Sequence, residues 1–208
     1  MTKWWEAGFC LPFAVTGAGE FLSDGAKIRG LFVIPNAAQH SLFSGVNFEL
    51  GYEMPQFSLT RWALEIRPII GVRNTQWEFI VNPIVDVGFG EAGEADFAQA
   101  VRLARNLGQD RFIGLEYCAD FGKIGDFLPL QQQSHRIFAV TDFKLNTVDV
   151  ELGVGYGFTP GSDGLVVKAS IGYAFPVPGK SDEGSNSPNT PLAKGTSARP
   201  SQTALIVK

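Results

Sequence analysis

Residues 148–158 read VDVELGVGYGF, in which Val148, Val150, Leu152, Val154, Tyr156 and Phe158 alternate without exception with Asp149, Glu151, Gly153, Gly155 and Gly157. Successive side chains of a β-strand point to opposite faces, so a period of two describes a strand with one apolar wall and one wall of glycine and carboxylate. Working outward, the same split recurs. Within residues 42–54, Leu42, Val46, Phe48, Leu50 and Tyr52 oppose Gly45, Asn47, Glu49, Gly51 and Glu53. Within 61–73, Trp62, Leu64, Ile66, Ile70 and Val72 oppose Arg61, Glu65, Arg67, Gly71 and Arg73. Within 76–89, Trp77, Phe79, Val81, Val85, Val87 and Phe89 oppose Gln76, Glu78, Asn82, Asp86 and Gly88.

Residues 113–121 and 165–175 repeat the pattern, 134–145 follow it less regularly, and 5–15 and 27–34 are shorter or noisier segments of the same kind. Residues 95–106 admit a strand or a helix, because Phe97, Ala100, Val101, Ala104 and Leu107 also have helical spacing. The count comes to about ten strands. Turn formers separate them at Asn74-Thr75, Gly90–Glu94, Leu107–Asp110, Asn146-Thr147 and Thr159–Gly164, with one longer connection over Gly122–Gln133. Short links between consecutive strands require antiparallel neighbours. The expected fold is therefore all-β: an antiparallel up-and-down meander forming a barrel, complete or incomplete, over residues 1–178. Beyond that, residues 179–208 are rich in Pro, Gly, Ser, Asn and Thr and read as a disordered tail.

Composition narrows the function. The 208 residues are 45% hydrophobic and only 18% charged, with 24 glycines and a net charge of -4, so the basic footprint of a nucleic-acid binder is missing. The longest uncharged stretch, Gly30–Phe48, is broken by Pro35, Asn36, Gln39, His40 and Asn47, which leaves no helical membrane span. Glu6 and Pro12 interrupt the weak likeness of the first residues to a secretory leader, so these residues are expected to belong to the fold. Cys10 and Cys118 have no metal-finger spacing and are expected as unpaired thiols, and no metal or cofactor is expected.

Alternation alone leaves open which wall faces inward. A soluble calycin-like barrel would enclose the apolar wall around an apolar ligand; a membrane barrel would turn it to lipid and keep a polar lumen. Small residues mixed with opposed charges suit a lumen, and on this reading Glu49, Glu65, Arg67, Glu78, Asp86, Glu116, Asp149, Glu151 and Lys168 are the candidate lumen residues. Trp62, Trp77, Phe158, Tyr173 and Phe175 lie toward segment ends and are the candidate interfacial aromatic girdle. The expected partners are an outer-membrane lipid bilayer and small polar solutes.

Two patterns imitate enzyme motifs. Gly88-Phe-Gly90-Glu-Ala-Gly93 imitates a dinucleotide fingerprint, but Glu78, Asn82, Pro83 and Asp86 in the preceding segment do not suit a doubly buried parallel strand. His40-Ser41 and Ser134-His135 pair a base with a hydroxyl, but neighbours on a strand point to opposite sides and cannot act together. No catalysis is expected.

Several stretches carry a resemblance: Trp4-Trp5-Glu6 with Leu11-Pro12-Phe13, Asn47-Phe48-Glu49-Leu50, Glu65-Ile66-Arg67-Pro68-Ile69, Trp77-Glu78-Phe79 with Asn82-Pro83, Arg102-Leu103-Ala104-Arg105, and Gly153-Val154-Gly155-Tyr156-Gly157-Phe158-Thr159. In order and spacing, over residues 4–178, they resemble a proteobacterial family of poorly characterised outer-membrane β-barrels, described as transporters or as relatives of phenol-degradation outer-membrane proteins. The resemblance implies a porin-like, non-enzymatic barrel in the bacterial outer membrane. Lys168–Phe175 is similar to the last-strand signal read by the outer-membrane insertion machinery. Family members carry a leader and further strands before the Trp-Trp-Glu segment, so the resemblance also implies an N-terminally truncated barrel.

Overall fold

Strand follows strand in the computed structural model, which describes residues 4–15, 21–23, 25–35, 37, 40–54, 60–91, 93–146 and 148–173. Ten of them form one antiparallel sheet: β1 (Trp5–Cys10), β4 (Ala26–Val33), β5 (Leu42–Tyr52), β6 (Trp62–Arg73), β7 (Trp77–Phe89), β8 (Ala95–Gly108), β9 (Arg111–Lys123), β10 (Ser134–Leu145), β11 (Val148–Gly157) and β12 (Leu165–Tyr173). Their order in the sheet is their order in the chain, an up-and-down meander curled into a half-barrel with β1 and β12 at its two edges among the described residues. The short strands β2 (Phe13–Val15) and β3 (Phe21–Ser23) pair with each other outside that sheet. Phe175 and the expected tail 179–208 lie outside the described residues.

Residues 95–106 are strand, not helix. β8 pairs with β7 on one side and β9 on the other. The positions with helical spacing are thereby split, Phe97, Val101 and Leu107 going to one face and Ala100 and Ala104 to the other. Two flanking ladders pair this segment on both sides, interrupted only by register shifts at Phe97/Ala98 and Asn106/Gly108, and this outweighs a local spacing that suits both structures. The early segment 5–15 is likewise two strands. The chain leaves the sheet after Cys10, where Pro12 has no N–H to continue a ladder. The glycine-rich stretch 88–93 joins two antiparallel neighbours, with Gly90 at φ 112°, so it does not open a crossover helix.

The two ends of the sheet differ. At one, the connections are short: 74–76, the two residues Gln109 and Asp110, and 146–147, besides the longer 34–41. Gln109 and Asp110 both have positive φ, 52° and 57°, the geometry of the two-residue turn that matches strand twist. At the other end lie 11–25 with its hairpin, 53–61, the five-residue 90–94, 124–133 and 158–164. We call these the short-turn rim and the long-loop rim.

Candidate functional site: the concave polar wall

Curling has put the charged parity inside. Glu65 and Glu116 are 0% exposed, and Arg67, Glu78, Asn82, Arg102, Asp142 and Glu151 are all buried. On the opposite parity Ile70, Leu115, Val154, Tyr156 and Ile171 are exposed, Ile171 to 76%. Within the sheet strands, the only Asp, Glu, Lys or Arg residues on the convex parity are Arg105 and Arg111, both at the short-turn rim. The Arg105 guanidinium lies 5.7 Å from the centre of the Trp77 ring.

The glycines of the inner wall explain how so many long side chains fit there. A Cβ at Gly155 would stand 2.3 Å from the Phe138 ring, and one at Gly71 would stand 2.2 Å from the Phe43 ring. At Gly153 a Cβ would meet Lys168 at 2.9 Å. Each glycine is thus the floor on which a neighbour's side chain lies flat, which lets the strands approach and the wall fill. Apolar groups share the wall. Ile84, Phe138, Val140 and Val166 belong to one buried cluster, and Leu31, Phe43, Ile69 and Ile80 to another.

Five consecutive strands contribute to one ionic network. Arg102 on β8 bonds Asp142 on β10 and reaches Glu116 on β9 at 3.8 Å and Glu151 on β11 at 3.9 Å. Lys168 on β12 bonds the same two glutamates, at 2.7 Å to Glu116 and 2.9 Å to Glu151. Each cation therefore meets a carboxylate of the adjacent strand and reaches past it, Arg102 to β10 and β11 and Lys168 to β9, and only a tightly curled sheet brings these together. Burying ions costs several kcal/mol each unless partners surround them, and the alternation of sign supplies those partners.

Between β4 and β9 the arrangement is different. The register places Arg29, Glu49, Glu65, Asp86, Asp96 and Lys123 directly opposite one another across six strands, so that four carboxylates are cross-strand neighbours. Like charges in that position repel. Arg67, two residues along β6, folds back to Glu65 at 2.7 Å, and Lys27 approaches Glu49 at 3.7 Å. At the row's ends Arg29 bonds Glu6 and Lys123 bonds Glu94, each at 2.8 Å.

All nine residues read as lumen candidates lie on the concave parity. Glu65, Arg67, Glu78, Glu116 and Glu151 are buried; Glu49, Asp86, Asp149 and Lys168 are half-buried. Glu116, Glu151 and Lys168 meet in the network, Glu49, Glu65 and Asp86 in the acidic row, and Glu78 lies apart near Arg73 at 4.0 Å. The network's hub, Arg102, was missed because a segment open between strand and helix has no assignable faces; once read as a strand, Asp96, Ala98, Ala100, Arg102 and Ala104 form a small-and-charged wall. Asp142 was missed because β10 departs from simple alternation. It puts Phe138 and Val140 inward and His135 and Thr141 outward.

The girdle candidates divide between the ends: Trp62 and Phe158 at the long-loop rim, Trp77 and Tyr173 at the short-turn rim, all exposed. At the long-loop rim Tyr52 packs edge-on to Trp62 at 5.2 Å and Tyr117 stacks on Phe158 at 6.3 Å. His135 is the one convex residue with an imidazole, and it is enclosed: Tyr117 Oη lies 2.7 Å from Nδ1, Gln133 Oε1 2.9 Å from Nε2, and Phe121 and Phe158 pack on the ring. Ser134 points the other way, accepting a hydrogen bond from Arg136 Nε on the concave side. Cys10 and Cys118 are unpaired thiols on β1 and β9. Among the described residues no group of three or more His, Cys, Asp or Glu is placed to hold a metal ion. Compared with known proteins, the chain matches no family model, no curated protein and no solved structure.

Proposed function

We propose that the chain is an outer-membrane β-barrel protein, porin-like and without catalysis, whose concave wall lines a passive path for small polar solutes. The observation that carries this reading is the inversion of burial. Charged side chains occupy the enclosed face, and the exposed convex face is apolar, with charge admitted only at one rim. A protein folded for water alone would hide Ile70, Leu115, Val154 and Ile171, since a contiguous apolar surface of this extent marks a contact with something apolar. The soluble calycin-like alternative needs the apolar parity on the concave side, and it lies on the other. Aromatic side chains at both rims, and short turns at one rim against longer loops at the other, agree with the anatomy of outer-membrane barrels. By that anatomy the short-turn rim faces the periplasm. Lipid leaves no backbone group unpaired, so the reading requires the edges of β1 and β12 to be paired in the bilayer, with each other or with further strands.

The test is physical. Refolded into detergent and then liposomes, the chain should migrate differently on gels before and after heating, and brominated acyl chains should quench the fluorescence of Trp62 and Trp77. A protein that stays monomeric in detergent-free buffer, with tryptophans that brominated lipid does not quench, overturns the proposal.

A further inference from the structure

The charges of the concave wall alternate in sign in one half and are grouped by sign in the other. Across β5–β8 the carboxylates of Glu49, Glu65, Asp86 and Asp96 stand side by side. Two inner cations approach this row, Lys27 and Arg67. The cations beyond its ends, Arg29 and Lys123, are drawn away by Glu6 and Glu94. A second, independent observation concerns hydrogen bonding. The side-chain oxygens of Asn47 and Asn82, residues only 7% and 4% exposed on the same wall, have no hydrogen-bond partner among the described residues. Further round, the same holds for Glu116 Oε2 and Asp142 Oδ1. A carboxylate oxygen can only accept, and a buried acceptor without a donor costs free energy. Whatever completes this wall must therefore bring positive charge or O–H and N–H groups.

We infer that the path passes small cations, alkali-metal ions and compact organic ammonium ions, in preference to anions. This rests on the passive-path reading above and specifies its solute class. Both observations favour a cation in the path: its charge offsets the acidic row, and buried acceptor oxygens left without donors add to the negative potential that attracts it. Fixed carboxylates along an enclosed wall raise the local cation concentration and raise the barrier to anions, which is how acidic linings select in known pores. The described residues present no tight metal cage, which suits ions that must leave as readily as they enter.

The measurement is the reversal potential of the full chain, refolded and inserted into planar phosphatidylcholine bilayers, under a KCl gradient. The expected result is a several-fold permeability preference for K+ over Cl−. The triple variant Glu49→Gln, Asp86→Asn, Asp96→Asn should bring that ratio close to unity while conductance persists. Should the triple variant fail to show heat-modifiable migration, Asp96→Lys alone, at a half-buried position, should lower the ratio in the same direction. Conductance with anion preference or no preference, or a ratio unmoved by these substitutions, overturns the cation inference and leaves the passive path standing. Heat-modifiable, inserted protein that conducts nothing overturns both.

Discussion

The two halves of the concave wall use the same residue types to opposite effect. In β8–β12, Arg102 and Lys168 stand between Glu116, Asp142 and Glu151, so that each buried charge touches its opposite and the strands are tied together across the curl. In β5–β8, Glu49, Glu65, Asp86 and Asp96 are mutual neighbours and the cations come from the side. Removing one partner from the first arrangement leaves a buried charge uncompensated, whereas removing one carboxylate from the second relieves repulsion. Under the proposed function the network is therefore the scaffold and the acidic row the lining of the proposed path.

The largest expected effect tests the scaffold. Arg102→Leu strands three buried carboxylates with Lys168 alone between them, and loss of one partner from a buried ion cluster costs about 3–5 kcal/mol. Urea titration in micelles, followed by tryptophan fluorescence, should show the midpoint fall accordingly. An unchanged midpoint would remove the distinction between the halves.

Next in size is a substitution on the convex face. Leu152, near the middle of β11, is 41% exposed. An arginine there should cost about 2–4 kcal/mol in a bilayer, because that is the penalty for a cation at the mid-depth of a barrel's lipid face. The same Leu152→Arg change on a water-facing surface would be near neutral, so comparing refolding yields into vesicles of the two proteins also tests the membrane reading.

Gly155→Val probes the packing within the concave wall. Its Cβ would lie 2.3 Å from the Phe138 ring, and overpacking of this kind costs about 1–3 kcal/mol. Pairing it with Phe138→Leu should recover part of the loss, which a double-mutant cycle measures. The smallest effect belongs to the acidic row. Asp86→Asn removes one of the facing carboxylates and should be neutral to stabilising by about 0–1 kcal/mol, in contrast to Arg102→Leu. A cost comparable with that of Arg102→Leu would show that the row, too, is structural.

Much of the wall was readable before any coordinates, and the reasons are particular. β11 alternates perfectly because its inner positions are glycine or carboxylate, so Glu151 and Asp149 could be assigned a face. β6 and β7 were readable for the same reason, and with them Glu65, Arg67, Glu78 and Asp86. β8 was not, since alanine, leucine and arginine are good helix formers and their spacing fits both periods. Arg102 was hidden with it. β10 was obscured because its inner wall includes Phe138 and Val140 lying over the glycines of β11, and its outer wall includes a histidine made acceptable by Tyr117 and Gln133.

By itself, the sequence determined where most of the strands run, that neighbours pair in chain order and, outside β8 and β10, which residues share a face, because side-chain parity and short connections are local properties of the chain. Only the tertiary structure decided which face is enclosed and which residues meet across it. Curvature is a property of the whole sheet, and contacts such as Arg102 with Glu151, or Lys168 with Glu116, join strands three apart that neither the pairing order nor the alternation brings together.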